Sequence, residues 1–304
     1  MSAPSGNQIM IVTKDQQAVV VEVGGGLRSY SVGGHKLLDG YDADEMSSSG
    51  RGQVLIPWPN RLQDGSYEFN GRRYQLPLNE PEHRNAIHGL VRWSTWTATE
   101  REPHRVVMDH ILYPQPGYPF LLGISIEYAL SDSGLQVRTT ATNLGTQSCP
   151  YGSGAHPYLT LGTETIDGLI LRVPGRTVLR SDERGLPIDV EAVEHTEYNF
   201  QMPRRIGSTR FDHAFTDLER DEEGLARVEL ISSAPYPWTS SRLPAEYERS
   251  PPPTSTTTAC WSPTAISICS PDGAIIAPFP SGWQREQGSL HGVHQLELIL
   301  PGPC

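Results

Sequence analysis

Three histidines stand in unusual local settings, and each reads either as a proton-transfer group or as a surface or core-edge residue. His88 lies in Asn85-Ala-Ile-His-Gly-Leu90, after a polar loop over 79–85 and before a glycine. His156 lies in Gly152-Ser-Gly-Ala-His-Pro-Tyr-Leu159. There the glycines free the preceding backbone, and Pro157 keeps the histidine out of the helical region. His213 follows Asp212 in Arg210-Phe-Asp-His-Ala-Phe215. An imidazole titrates near pH ~6.5, so it can hold or release a proton under ordinary conditions. Arg61 sits in Pro57-Trp-Pro-Asn-Arg-Leu62, a proline-braced turn. Two readings suit it: an exposed arginine on a tight turn, or a planar cation held rigidly to bond hydroxyls or a carboxylate. Trp58, Trp93 and Trp96 are either flat faces for a ring-shaped ligand or core residues.

Several other chemistries lack their signatures. Gly24-Gly25-Gly26 has no following lysine and helix, so no phosphate loop is present. Ser153 stands between Gly152 and Gly154 with too short a spacing for a nucleophile elbow. No HExxH occurs, and His291-Gly-Val-His294 offers only two metal ligands. Cys149, Cys260, Cys269 and Cys304 show no CxxC spacing, so free thiols are expected rather than a zinc site.

The elements that must position these side chains are strands. Leu122, Ile124, Ile126, Tyr128 and Leu130 alternate with small or polar residues, Ser131-Asp-Ser-Gly134 forms a turn, and Leu135, Val137, Thr139 and Ala141 alternate again. Period two on both sides of a glycine-containing turn predicts an antiparallel hairpin. Tyr67, Phe69 and Tyr74 around Asn70-Gly71 predict a second hairpin with packed aromatics. Val19–Val23, Arg105–Tyr113 and Gly168–Val173 are further strand candidates. The acidic cluster Asp217, Glu219, Asp221, Glu222 and Glu223 is expected to be a solvated turn.

With no convincing amphipathic helix, the expected fold class is all-β, a large antiparallel β-sandwich. Residues 1–230 would form its core. Residues 231–304 hold 12 of the 26 prolines and the run Ser250-Pro-Pro-Pro-Thr-Ser-Thr-Thr-Thr258, which cannot sit in a central strand. They read as a divergent segment of the same domain, with strand-like alternation at Ala274–Ala277 and Gln295–Leu300.

The net charge of −11 repels phosphate backbones, which argues against nucleic-acid partners. No apolar run approaches the roughly 20 residues that span a bilayer, and residues 1–8 lack a secretory pattern, so a cytoplasmic protein is expected.

Four segments together resemble the aldose 1-epimerase (mutarotase) family: Pro59-Asn-Arg-Leu-Gln-Asp-Gly-Ser-Tyr-Glu-Phe-Asn-Gly71, Asn85-Ala-Ile-His-Gly89, Gly154-Ala-His-Pro-Tyr158 and Phe211-Asp-His-Ala-Phe215. Their order and approximate spacing match as well. The resemblance implies a galactose-mutarotase-like sandwich that binds a small-molecule aldose, glucose or galactose, and interconverts its anomers with no metal and no organic cofactor. It implies His156 as the acid facing the ring oxygen and His88 beside it. Arg61 and Asp212 would bond sugar hydroxyls. The family's base is a C-terminal glutamate before a proline, but Ala259-Cys-Trp-Ser-Pro-Thr264 has serine there. Among the tail acids, Glu297 at least lies on a plausible strand.

Two other readings compete: a carbohydrate-binding protein on the same fold that has lost its base, and an enzyme of sugar phosphates using Arg72, Arg73, Arg84 or Arg92. A glycosidase would require a carboxylate pair in motif-like settings.

Overall fold

A computed structural model describes residues 3–210, 212–222 and 226–232 with their side chains, and the backbone of two later strands, Thr256–Trp261 and Leu296–Ile299. Among the described residues the one helical turn is a short 3-10 segment, Val193–His195. Every other regular element among the described residues is strand.

The first sheet runs in order through β1 (Gln8–Thr13), β2 (Gln16–Val21), β3 (Leu27–Val32) and β4 (His35–Lys36). Short pairs follow: β5 (Val54–Leu55) with β14 (Gly154–Ala155), β6 (Arg61–Gln63) with β9 (Asn85–Ile87), and β7 (Ser66–Phe69) with β8 (Arg72–Gln75). A long meander is formed by β10 (Thr97–Glu102), β11 (Arg105–Leu112), β12 (Leu122–Ser131) and β13 (Gly134–Asn143). One later sheet has the order β18 (Arg204–Arg205), β15 (Ile170–Arg172), β20 (Ala226–Ile231), β21 (Thr256–Trp261). The other has the order β17 (Pro187–Ala192), β16 (Gly175–Ser181), β19 (Asp212–Leu218), β22 (Leu296–Ile299). The register places Glu297 opposite Ala214.

The meander follows from alternation. On β12, Leu122, Ile124, Ile126, Tyr128 and Leu130 are all buried, and each contributes roughly 1.5–3 kcal/mol by leaving water. Ser131 pairs with Gly134 across a two-residue turn. The alternation of β13 buries less: Val137 remains 46% exposed because β13 is the sheet's edge. Tyr67 and Tyr74 stack at 5.1 Å across the β7–β8 hairpin, with Phe69 also buried.

Among the described residues two hydrophobic clusters make the core. One gathers β1, β2, β7, β11 and β12 around Trp58, Trp96 and Tyr118. The other gathers β15, β16, β19 and β20 around Phe200 and Phe215. Leu27 and Tyr30 on β3 pack against both and join them. Trp58 and Trp96 are therefore core residues, whereas Trp93 is half exposed. The Cys149 thiol is buried. The acidic cluster is not a purely solvated turn: Glu219 accepts from Arg176, and Asp221 pairs with Arg227. Ala274–Ala277, the His291–His294 pair, Cys269, Cys304 and Ser262 lie outside the described residues.

Candidate functional site

The segment from Gln53 to Asn60 holds the two catalytic candidates from opposite sides. On one side β5 pairs with β14, so His156 follows directly; its N–H donates to the Gln53 carbonyl at 3.1 Å and its carbonyl accepts from Gly52 at 2.9 Å. On the other side β6 pairs with β9, and His88 follows. Asn60 and His88 exchange two bonds: the His88 N–H donates to the Asn60 carbonyl at 2.9 Å, and the Asn60 N–H donates to His88 Nδ1 at 3.1 Å.

This turn demands unusual backbone. His88 has φ +61°, and Gly89 follows at +73°. A Cβ on Gly89 would come within 2.1 Å of the Ile56 carbonyl oxygen, so only glycine lets the chain pass. The outcome is a pair of imidazoles packed edge to face, with centroids 5.2 Å apart and residue exposures of 7% and 5%.

Burial sets their charge. Desolvation, helped by the charges of His156, Arg92 and Arg61, pushes His88 down to about 3, so it is neutral at pH 7. Because Nδ1 accepts a hydrogen bond, the neutral ring carries its proton on Nε2 and donates from there. Burial also lowers His156; a hydrogen bond to its own backbone and the Asp212 carboxylate oppose the shift, and Arg92 and Arg51 add to it. The His156 ring lies on Tyr158, with centroids 5.2 Å apart and planes 24° apart. The Arg51 guanidinium covers that tyrosine at 4.5 Å and pairs with Asp39 at 3.1 Å.

Arg61 is not an exposed turn residue. Its side chain is 19% exposed, and it forms a forked ion pair with Glu80: Nε donates at 2.9 Å and 3.1 Å, and Nη2 at 2.9 Å. Glu80 also accepts from Asn85 Nδ2 at 3.0 Å. Asn60 Oδ1 is buried beside His88 without a hydrogen-bond partner, an acceptor left open at the site. Arg92 is half-buried and donates to Gln53 Oε1 at 3.3 Å. Among the described residues no carboxylate lies within ion-pair distance of it.

Residues 8–232 match the family model for aldose 1-epimerase. The chain belongs to the aldose 1-epimerase family. It is 37% identical over 212 residues to the uncharacterized protein YihR of Escherichia coli (strain K12), covering 69% of each chain. It is 26% identical over 184 residues to the galactose mutarotase of Homo sapiens, covering 54% of this chain and 51% of the human one. The chain thus spans about half the length of the galactose mutarotases it matches. A GalM/aldose epimerase homologue from C. elegans superposes with a TM-score of 0.66 at 18% identity, over 74% of this chain and 78% of that one, which shows the shared fold.

Within this epimerase fold, His88, His156 and Arg61 come together around one segment. Asp212 lies at the start of β19, exposed, near enough for its charge to act on His156. His213 points elsewhere, its ring 4.4 Å from Tyr198. Arg92, first met as a cation for phosphate, faces both histidines electrostatically. Glu80, Asn60 and Tyr158 were missed as site residues. For Asn60 and Tyr158 a signal existed, since Asn60 adjoins Arg61 and Tyr158 lies two residues after His156 in the resembling segments.

Among the described residues no helix is long and apolar enough to cross a membrane.

Proposed function

We propose that this protein is an aldose 1-epimerase that interconverts the α and β anomers of a free hexose such as glucose or galactose. The observation that carries this reading is the pair of buried histidines at 5.2 Å, one of them a neutral Nε2–H donor, with Arg61 on the adjoining strand.

In this mechanism His156, when protonated, gives its proton to the ring oxygen as the C1–O5 bond breaks. The C1 hydroxyl loses its proton to a base, and the open aldehyde rotates about C1–C2. Closure on the other face returns both protons. Each well-placed transfer contributes roughly 10²–10⁴-fold. His88 donates from Nε2 to the same region without changing charge. Arg61 donates to sugar hydroxyls, and Asp212 and Asn60 Oδ1 accept from them. Since Glu80 already balances the Arg61 charge, a neutral hydroxyl suits it. The resemblance gives the base to a C-terminal glutamate; we assign it to none of the described side chains.

The test is polarimetry on freshly dissolved α-D-glucose and α-D-galactose. Acceleration by the protein that disappears in His156→Ala supports the reading. A folded protein that accelerates neither sugar overturns it.

A further inference from the structure

The turn between β16 and β17 crosses to the sugar-site strands from the other hydrophobic cluster. It is a closed unit. Asp182 N–H donates to the Leu186 carbonyl at 2.9 Å, Gly185 N–H to the Asp182 carbonyl at 3.0 Å, and Asp182 Oδ1 accepts from the N–H groups of Arg184 and Leu186, each at 2.9 Å. From this turn Arg184 reaches residues a hundred positions earlier. Its Nε donates to the His83 carbonyl at 2.9 Å, and its Nη2 to Asp64 Oδ1 at 2.9 Å and the Arg84 carbonyl at 3.1 Å. Asn85, fully buried on β9, donates from Nδ2 to the Arg184 carbonyl at 3.0 Å and to Glu80 Oε2 at 3.0 Å. Glu80 in turn holds Arg61.

Gly185 completes the contact. It has φ +72°, and a Cβ there would lie 2.6 Å from Arg61 Nη1 and 2.8 Å from Cζ. The guanidinium is thus gripped between the Glu80 carboxylate and a bare stretch of backbone. β16 and β17 themselves pair from Thr177 to Ser181, with a register shift between Arg180 and Ser181 where the turn begins.

We propose that Arg184 and Gly185 are positioning residues, a strut that fixes where Arg61 presents its N–H donors and thereby sets affinity for the sugar. This rests on the epimerase reading for its kinetic consequence, but the strut itself is a statement about Arg61. An arginine that contacts hydroxyls alike in ground and transition states controls KM more than kcat. Loss of one charge-assisted bond changes affinity by about tenfold or more.

The experiment compares Gly185→Ala, Arg184→Ala and Arg184→Lys with Arg176→Ala, which removes only an exposed ion pair to Glu219. Two readouts are taken. The first is KM and kcat by polarimetry. The second is the ¹⁵N side-chain resonance of the Arg61 Nε–H, identified by its loss in Arg61→Lys and readable without sugar or turnover. The expected result is KM raised about tenfold in Gly185→Ala and Arg184→Ala with kcat within about twofold. The Arg61 Nε–H signal should shift or broaden, and Arg184→Lys, which lacks the fork, should be intermediate. Arg176→Ala should match the wild type. If Arg184→Ala does not fold, Gly185→Ala decides. An unchanged Arg61 resonance in the folded variants overturns the strut. If the wild type is inactive, the epimerase reading fails, and the resonance alone still judges the strut.

Discussion

His88 accepts the Asn60 main-chain N–H on Nδ1 at 3.1 Å, and this single bond fixes both the position and the tautomer of the ring. The imidazole is buried, has a basic neighbour in Arg92, and stays neutral with its free proton on Nε2. A histidine held this way is a hydrogen-bond donor at all ordinary pH values.

That neutrality has a cost in acid. Burial lowers the folded-state pKa of His88 to about 3, while in the unfolded chain it stays near 6.5. Below pH 6.5 the unfolded chain binds a proton that the folded protein refuses, so stability is complete above that value and falls as the pH drops toward 3. His156 is lowered too and adds in the same direction. Urea unfolding between pH 7.5 and 4 should therefore show a steady loss for the wild type and a shallower one for His88→Asn, a substitution that tolerates φ +61°. Equal slopes would remove this account of the site.

The Arg61–Glu80 fork makes a second prediction. Burial works to raise the Glu80 carboxyl, but hydrogen bonds from Arg61 and Asn85 outweigh it and hold it below the usual carboxylate range. Its stabilising contribution is present above the ordinary value and is lost as the pH falls through the lowered one. Glu80→Gln leaves the guanidinium without a counter-ion. With side chains 19% and 11% exposed, the loss should be about 1–3 kcal/mol, less than for a fully buried pair. KM for the hexose should rise with it. Thermal melts and polarimetry check both; a variant as stable as wild type would show that Arg61 finds its balance elsewhere.

The stack under His156 gives a third. Tyr158 supports the ring face, and its hydroxyl donates to the Ser49 carbonyl at 3.0 Å. Tyr158→Phe keeps the face and loses one hydrogen bond, about 1 kcal/mol of stability with kcat near normal. Tyr158→Leu loses the flat support, and a small tilt of a proton donor is enough to lower kcat by about tenfold or more. Matching kcat values for the two variants would refute a positioning role.

How much of this could be read from the chain depends on the range of the interaction. The β12–β13 hairpin and the Tyr67–Tyr74 pairing follow from alternation and turn residues a few positions apart, so they were legible. His88 and His156 were legible as separate sites because each sits in a segment with glycine or proline constraints. Their 5.2 Å contact was not, since it needs β5, β6, β9 and β14 to converge. Glu80 is 19 positions from Arg61 in a polar loop with a second acid, Glu82, and no periodicity selects it. Arg184 is farther still, and a single arginine in an acidic turn carries no pattern. Only the need to satisfy buried Asn85 and a part-buried guanidinium ties those residues together, and that need arises after folding.

The final prediction concerns the acid itself. A proton donor must be protonated to act, and burial puts His156 of the free enzyme below its ordinary 6.5. The kcat/KM profile, which reports free-enzyme groups, should therefore decline with rising pH from a midpoint below 6.5. Asp212 is the carboxylate whose charge favours protonated His156. Removing that charge with Asp212→Asn makes the protonated ring less stable, so the midpoint should move further toward acid while KM rises from the lost hydroxyl contact. Arg92→Gln should do the reverse, since its charge opposes the proton on His156. The measurement is polarimetric kcat/KM from pH 4.5 to 8.5, with the spontaneous rate subtracted. Midpoints that stay fixed in both variants would mean that a group other than His156 delivers the proton to the ring oxygen.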